Sequence, residues 1–399
     1  MTAQPFQLTA PAVGELASAP TLSALPPYPT RAATRKLRVL MVTPRYFPQM
    51  GGVENHVYQV ARRLAHAGTD VTVLTTDPDQ TLKAEEELAG VKIRRVQAWP
   101  ANRDYYYAPQ IRQIIRRGAW DVVHLQSYHT LVAPLTMYAA WRAGIPYVVT
   151  FHGGGHSSAW RNRMRGLQQT LLRPLLAGAA RLVAVANFEV NYYGQRLGLA
   201  PERFALIPNG CDLAPSEMPV VDRSATLLMS VGRLERYKGH HRMIAAMPYI
   251  LAHYPDARLR IVGEGPYKSE LIAQAAMLGL SDRIEIGGIP AAERGRMAAT
   301  IASASLVTLL SNYETHPIAA LEALALKRPV LVADTSGLRE LAQRGLARAV
   351  PLASTPQAIA AAVIEQLRNP LIPARLDLPT WDDCARELLL LYRSVIGRF

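Results

Sequence analysis

From residue 37 onward, short apolar runs recur along this chain, each followed by a loop and then a helix-length segment. LRVLMVT (37–43), DVTVLTT (70–76), VKIRRV (91–96), DVVHLQ (121–126), PYVVTFH (146–152) and RLVAVA (181–186) are of this kind. Runs such as LRVLMVT are apolar at nearly every position, not every second one, as in a strand buried on both faces of a parallel sheet. After the first, residues 53–68 place Val53, Val57, Val60 and Leu64 at helical spacing and stop at Gly68. FALIPNGCD (204–212) runs from a strand into an Asn-Gly turn. Residues 213–223, LAPSEMPVVDR, carry two prolines and no apolar period, so they read as a linker. The pattern then restarts with TLLMSVGRLE (226–235), ARLRIVGEGP (257–266), DRIEIGG (282–288), ASLVTLL (304–310), RPVLVAD (328–334) and ARAVPL (347–352). Strand-helix repetition, present twice, predicts an α/β chain of two doubly wound domains whose strand ends face a shared cleft.

The expected division is a Pro-rich leader at 1–35, a first domain at 36–212, the linker at 213–223 and a second domain at 224–375. An amphipathic helix within 376–399 is expected to dock back on the first domain. A length of 399 residues suits two cores, and 49% hydrophobic with 19% charged residues describes a folded globular protein. Two cysteines, Cys211 and Cys384, make no disulfide framework and suit a reducing compartment. The most apolar stretch, residues 171–188, is broken by Arg173, Pro174 and Arg181, so no membrane span is expected. The first charge is Glu15, with no basic region before it, so no secretory signal is expected. A net charge of +13 favours anionic partners. Basic and aromatic residues form no platform for bases, so no nucleic acid partner is expected.

Five loops at strand carboxyl ends carry unusual chemistry. Gly51-Gly52 precede a helix start, where backbone can approach an anion, although a lone Gly-Gly pair also makes an ordinary turn. His152 stands at a strand end before three glycines. Arg233 and Lys238 flank a short loop after the second domain's first strand, and two cations there can neutralise a diphosphate. Gly263-Glu264-Gly265-Pro266 makes a tight turn on which a flat base can pack. The fifth loop contains two acids with seven residues between them, Glu314 on a turn and Glu322 on the following helix. Glu322 lies among Ala320, Leu321, Ala323 and Leu324, where an unpartnered carboxylate is costly. The ten histidines show no zinc-site spacing, so no metal site is expected.

Taken together, PRYFPQMGGVENHVYQVARRLAHAG (44–68), DVVHLQS (121–127), VVTFHGG (148–154), IPNGCD (207–212), VGRLERYKG (231–239), VGEGP (262–266), IGGIP (286–290) and the Glu314…Glu322 corner resemble retaining glycosyltransferases of family 4. The resemblance runs from residue 37 to the C-terminus. It implies the GT-B fold, two Rossmann-like domains about a central cleft, and a nucleotide-diphosphate-sugar donor, UDP- or GDP-linked, held by the second domain. It further implies that His152, Arg233, Lys238 and Glu314 serve catalysis, with Arg233 and Lys238 stabilising the leaving diphosphate in place of a metal. Gly52, Gly263, Gly265, Ile318, Ala319 and Glu322 are assigned to the donor, with Glu322 on the ribose, and His56, His124 and Asn209 to the acceptor side. No cofactor is implied. Where the family has an aromatic residue and glycine after the first acid, this chain has His316 and Pro317. Proline removes one N–H but suits a first helical position, leaving Ile318 and Ala319 to donate.

The expected activity is therefore retaining sugar transfer to a lipid-linked, polysaccharide or small-molecule acceptor, in cell-envelope glycan synthesis on the cytoplasmic side. Trp160, Arg161, Arg163 and Arg165 make an interfacial helix drawn to anionic lipid, or a solvated basic helix. A sugar-nucleotide epimerase of the same architecture and a non-catalytic nucleotide-sugar-binding protein are the alternatives.

Overall fold

The computed structural model describes residues 35–49, 51–101, 106–153, 159–211, 226–290 and 293–397, with backbone alone at 159–165. The expected leader and linker fall outside them, and everything below belongs to Lys36–Phe399. The first domain runs β1 (Arg38–Val42), α1 (Gly52–His66), β2 (Asp70–Thr76), β3 (Glu85–Leu88), β4 (Val91–Val96), α2 (Gln110–Arg117) and β5 (Val122–Gln126). It continues with α3 (Val132–Arg142), β6 (Tyr147–Thr150), α4 (Ala159–Ala177), β7 (Arg181–Ala184), α5 (Asn187–Leu197) and β8 (Phe204–Leu206). The second domain runs β9 (Leu227–Val231), α6 (His240–Leu251), β10 (Arg258–Val262), α7 (Lys268–Met277), β11 (Ile284–Gly287), α8 (Arg294–Ser303) and β12 (Leu306–Leu309). It ends with α9 (Ile318–Ala325), β13 (Val330–Ala333), α10 (Ser336–Gln343), β14 (Arg348–Val350) and α11 (Pro356–Arg368), after which comes α12 (Trp381–Ile396).

Strand order is β3-β4-β2-β1-β5-β6-β7-β8 in one sheet and β11-β10-β9-β12-β13-β14 in the other. All pairings are parallel except β3 with β4. β1, β5, β6, β12 and β13 are almost wholly buried, as continuous apolar strands between two helical layers must be. The antiparallel β3, with the sequence EEEL, escapes the apolar reading because it is an exposed edge strand with no buried face. Its acids answer the basic strand beside it, Glu85 lying 3.3 Å from Arg94 and Glu86 2.5 Å from Arg95.

Strand order reverses between β1 and β5 in one sheet and between β9 and β12 in the other. Chains leaving adjacent strands there diverge to opposite faces and open a crevice beyond the strand carboxyl ends. The loops after β1, β5, β6, β9 and β12 therefore define where a ligand can sit.

The last helix leaves the second domain and packs on the first. Thr380 and Asp383 form a reciprocal capping box at its start. Trp381, Cys384, Leu388, Tyr392 and Val395 then share one core with Val39 and Met41 of β1 and Val57 and Val60 of α1. Gly210 permits the crossing, since a Cβ there would sit 2.1 Å from the backbone nitrogen of Trp381. Beside it, Cys211 N–H donates to the Pro379 carbonyl at 2.9 Å.

Candidate active site

The β9 and β10 loops of the second domain are laced backbone to backbone. Leu234 N–H donates to the Glu264 carbonyl at 3.0 Å, and Tyr267 N–H to the Leu234 carbonyl at 2.9 Å. A Cβ on Gly263 would meet the Gly232 carbonyl oxygen at 1.9 Å, and one on Gly265 the Leu234 carbonyl at 2.4 Å. These glycines serve the contact between two loops. That contact sets the path of the segment carrying Arg233 and, one 3-10 turn later, Lys238.

Lys238 Nζ donates to Glu314 Oε1 at 2.6 Å, bridging the loops after β9 and β12 at the second sheet's reversal point. The side chains are only 16% and 14% exposed, so water screens the pair little. Burial opposes the Lys238 charge, but Glu314 and Tyr237 outweigh it and the pKa is raised. Ser311 Oγ donates to the same Glu314 oxygen at 2.9 Å. The Glu314 backbone is fixed at both ends: its N–H donates to Ser336 Oγ at 2.8 Å and its carbonyl accepts from Gly337 N–H at 2.9 Å. Arg233 is ion-paired with Glu235. Burial works against its charge too, and Tyr237, Glu235 and Glu54 overcome it, raising the pKa. Glu54 belongs to α1, so the start of that helix, where Gly52 lies, faces Arg233 across the cleft.

Pro317 stands at the N-cap of α9 and not at its first helical position, which corrects the sequence reading by one residue. Its carbonyl accepts from the N–H groups of Ala320 and Leu321 at 3.0 and 3.2 Å. Those of Ile318 and Ala319 have no acceptor among the described residues and point out of the helix start. Glu322 is 4% exposed and ion-paired with Arg294. Burial raises its pKa against the pull of Arg294.

On the first-domain side the site is lined by neutral histidines. His56 Nδ1 lies 2.7 Å from Asn209 Oδ1, so Nδ1 carries the proton. Its Nε2 is buried with no hydrogen-bond partner among the described residues. The His56 and His152 rings meet edge to face at 4.6 Å. His152 Nε2 donates to Gln126 Oε1 at 2.7 Å, which leaves Nδ1 with the lone pair. Gln126 Nε2 lies 3.2 Å from His124 Nδ1, which also meets the Tyr392 hydroxyl at 2.5 Å, while His124 Nε2 lies 2.7 Å from Thr150 Oγ1. One proton assignment satisfies every member of this network: Tyr392 and Gln126 donate to Nδ1, and Nε2–H donates to Thr150. Burial, aided by neighbouring histidines, pushes His152 well below its usual range, and burial takes His56 to about 4 against its bond to Asn209. Burial and His56 take His124 to about 3.

The structure thus brings Arg233, Lys238, Glu314, Ile318 and Ala319 together around one crevice, with His152, His56 and Asn209 clustered on the facing domain. His124 is fully buried and bonded on both nitrogens. That placement makes it a support for the Gln126–His152 pair. His316 faces back towards His56 and is held near 4 by burial, then by Arg344 and His56. Arg294, Gln126 and Ser311 carry roles that sequence reasoning misses. Ser311 alone stands beside a recognisable motif; the other two meet their partners only through the fold. The side chains of Trp160, Arg161, Arg163 and Arg165 lie outside the described ones, although their backbone forms the start of α4. Among the described residues, no helix is long and apolar enough to cross a membrane.

Residues 50–215 match the family described as Glycosyltransferase Family 4, and residues 219–378 match Glycosyl transferases group 1. The chain is 30% identical over 304 residues to the GDP-mannose:cellobiosyl-diphosphopolyprenol alpha-mannosyltransferase of Xanthomonas oryzae pv. oryzae (strain PXO99A), covering 72% of this chain and 76% of that one. Sucrose-phosphate synthase from Thermosynechococcus elongatus has a similar structure, with a TM-score of 0.76 at 21% identity over 91% of this chain and all (100%) of that one. Anabaena HepE in complex with UDP follows at a TM-score of 0.64 and 18% identity, covering 91% of this chain and 98% of that one. At such identities the likeness is one of fold, the two-Rossmann-domain GT-B architecture.

The neutral histidines set a pH dependence. An unfolded histidine titrates near 6.5, whereas His56 and His124 titrate near 4 and 3 in the fold. Their contribution to stability is complete above the unfolded value and is lost as pH falls from 6.5 towards 4. Each steepens the fall by about 1.4 kcal/mol per pH unit in that window. Urea unfolding of His124→Gln between pH 6.5 and 4 is expected to show a slope shallower by about that amount than wild type. Equal slopes would contradict the assignment.

Proposed function

The chain belongs to glycosyltransferase family 4, and from that premise we propose that it is a retaining enzyme that moves a sugar from a nucleotide-diphosphate-sugar to a lipid-linked glycan acceptor. One observation carries the reading. Two cations, Arg233 and Lys238, converge with Glu314 and the open N–H groups of Ile318 and Ala319 at the crevice of the second sheet. A diphosphate placed there meets a guanidinium, an ammonium and a helix N-terminus, all of which favour the anion that develops as the donor breaks. Glu314, held by Ser311 and Lys238, presents its carboxylate to hydroxyls of the transferred sugar. Glu322, in the second turn of α9, takes the ribose hydroxyls with Arg294 as its counter-ion.

In the proposed step the bond between the anomeric carbon and the phosphate oxygen breaks as the acceptor oxygen bonds to the same face. The acceptor's proton passes to the departing phosphate. His152 is neutral, so it serves as a hydrogen-bonding group beside the sugar and supplies no proton at neutral pH. Cations of the protein stabilise the leaving group in this scheme, and no metal is assigned a part. The lipid-linked acceptor is favoured by the Xanthomonas relative, whose name specifies a diphosphopolyprenol substrate. The proposal includes a site of action on the cytoplasmic face of a membrane, in envelope glycan synthesis.

Donor hydrolysis and transfer, assayed with GDP-mannose and UDP-glucose, test the site. Lys238→Ala is expected to lower kcat by about 10²–10³-fold. Glu322→Ala is expected to raise donor KM by about 10–100-fold with kcat little changed. Wild-type kinetics in both variants, or an inverted anomeric product, would overturn the reading.

Membrane attachment is proposed at the start of α4, where Trp160, Arg161, Arg163 and Arg165 fall within two helical turns. Changing the three arginines to Glu is expected to abolish sedimentation with phosphatidylglycerol vesicles. Unchanged sedimentation would remove the membrane from the account.

A further inference from the structure

Glu189 lies in the first turn of α5 and is fully buried. Its Oε1 accepts from Gly153 N–H at 2.8 Å and its Oε2 from Val185 N–H, also at 2.8 Å. The carboxylate therefore joins the ends of two neighbouring strands, β6 and β7. No Lys or Arg pairs with it among the described residues. A buried carboxylate with no counter-ion is costly, and joining two loops does not itself require a charge.

What the carboxylate holds is the turn carrying His152. That residue has φ +44°, in the left-handed region that costs a side-chain-bearing residue energy. Its ring is fixed by Gln126, and the next amide by Glu189. The Gly153 carbonyl accepts from the Thr315 hydroxyl of the second domain. Thr315 directly follows Glu314. A short relay thus runs from Glu189 through Gly153 and Thr315 to the acid facing the sugar. Nothing larger than glycine fits at its centre: a Cβ on Gly153 would lie 2.7 Å from the Tyr193 hydroxyl and 2.8 Å from that of Tyr313. Nearby, Phe188 N–H donates to Glu340 of α10 at 2.5 Å, a second tie between the domains at the same place.

We propose that Glu189 is a positioning residue for sugar transfer, its carboxylate fixing the His152–Gly153 turn against Thr315 so that His152 and Glu314 close on the donor at a set separation. The proposal rests on the glycosyl-transfer reading above. The group also titrates in the working range. Burial pushes Glu189 up to about 7 against its two backbone bonds, and Glu340 raises it further. The other ionisable groups facing this cluster are Tyr193 on its own helix, Tyr313 on the second-domain loop, Tyr128 after β5 and the neutral His152. The ionised carboxylate accepts from both amides in charge-assisted bonds, which are stronger than those the protonated acid can accept. The grip therefore strengthens as pH rises through about 7.

The test uses the full-length protein with GDP-mannose and UDP-glucose. Glu189→Gln is expected to lower kcat by about 10–100-fold with KM within about twofold, and to remove an ascending limb near pH 7 from the kcat profile. Glu189→Asp is expected to keep that limb at reduced kcat. Thr315→Val, acting on the other side of Gly153, is expected to lower kcat without adding to the Gln effect in the double variant. It carries the test alone if Glu189→Gln does not fold. Hydrogen exchange at the Gly153 amide, expected to quicken about 10-fold in Glu189→Gln, needs no substrate. Loss of melting temperature with an unchanged pH limb, or unchanged exchange, overturns the proposal. A wild type that turns over neither donor while Glu189→Gln quickens that exchange refutes the transfer reading and leaves the Glu189 contact standing.

Discussion

The Lys238–Glu314 ion pair ties together two loops that the topology drives apart. β9 and β12 are neighbours in the sheet, but the chains leaving them turn to opposite faces, and the crevice between them is bridged by this bond of 2.6 Å. Both charges are largely withdrawn from water, so removing either leaves the other poorly compensated. Ser311, Ser336 and Gly337 all spend their hydrogen bonds on fixing Glu314, and the close approach at Gly263 and Gly265 fixes the loop leading to Lys238. Backbone contacts help to set the shape of the second-domain side of the crevice.

The two sides of the cleft divide the electrostatic work. The second domain supplies full charges, with Arg233, Lys238 and Arg294 each held against an acid. The first supplies polar groups that burial keeps neutral, His56, His124 and His152. In the proposed reaction a departing diphosphate needs charge, whereas an incoming hydroxyl needs a hydrogen-bond acceptor in dry, uncharged surroundings. Tyr392 of α12 donates to His124, so a helix reached only after the second domain completes the polar network of the first. The last helix of the chain is thus built into the first domain's core.

Much of this was open to reading in the sequence. Parallel strands buried on both faces leave uninterrupted apolar runs, so both sheets are legible, whereas β3 is an exposed edge whose acids satisfy arginines on β4. The Glu314…Glu322 spacing and the Arg233…Lys238 loop are local patterns and stand out. Arg294 and Gln126 find their partners 28 and 26 residues away through the fold alone, which no periodicity records. Glu189 is hidden differently: an acid in the first turn of a helix reads as a surface residue favoured by the dipole. Only burial reveals that it serves another strand.

Whether the second-domain crevice holds a nucleotide-diphosphate-sugar decides the function of the protein. Thermal unfolding of the purified chain across a panel of UDP-, GDP- and ADP-sugars measures this most directly. At a hundredfold excess over the dissociation constant, a true donor adds about 2.7 kcal/mol to the folded state. The expected result is a rise in melting temperature with one nucleotide series, lost on Glu322→Ala. No shift with any of them, or a shift indifferent to Glu322, would contradict the assignment of the crevice.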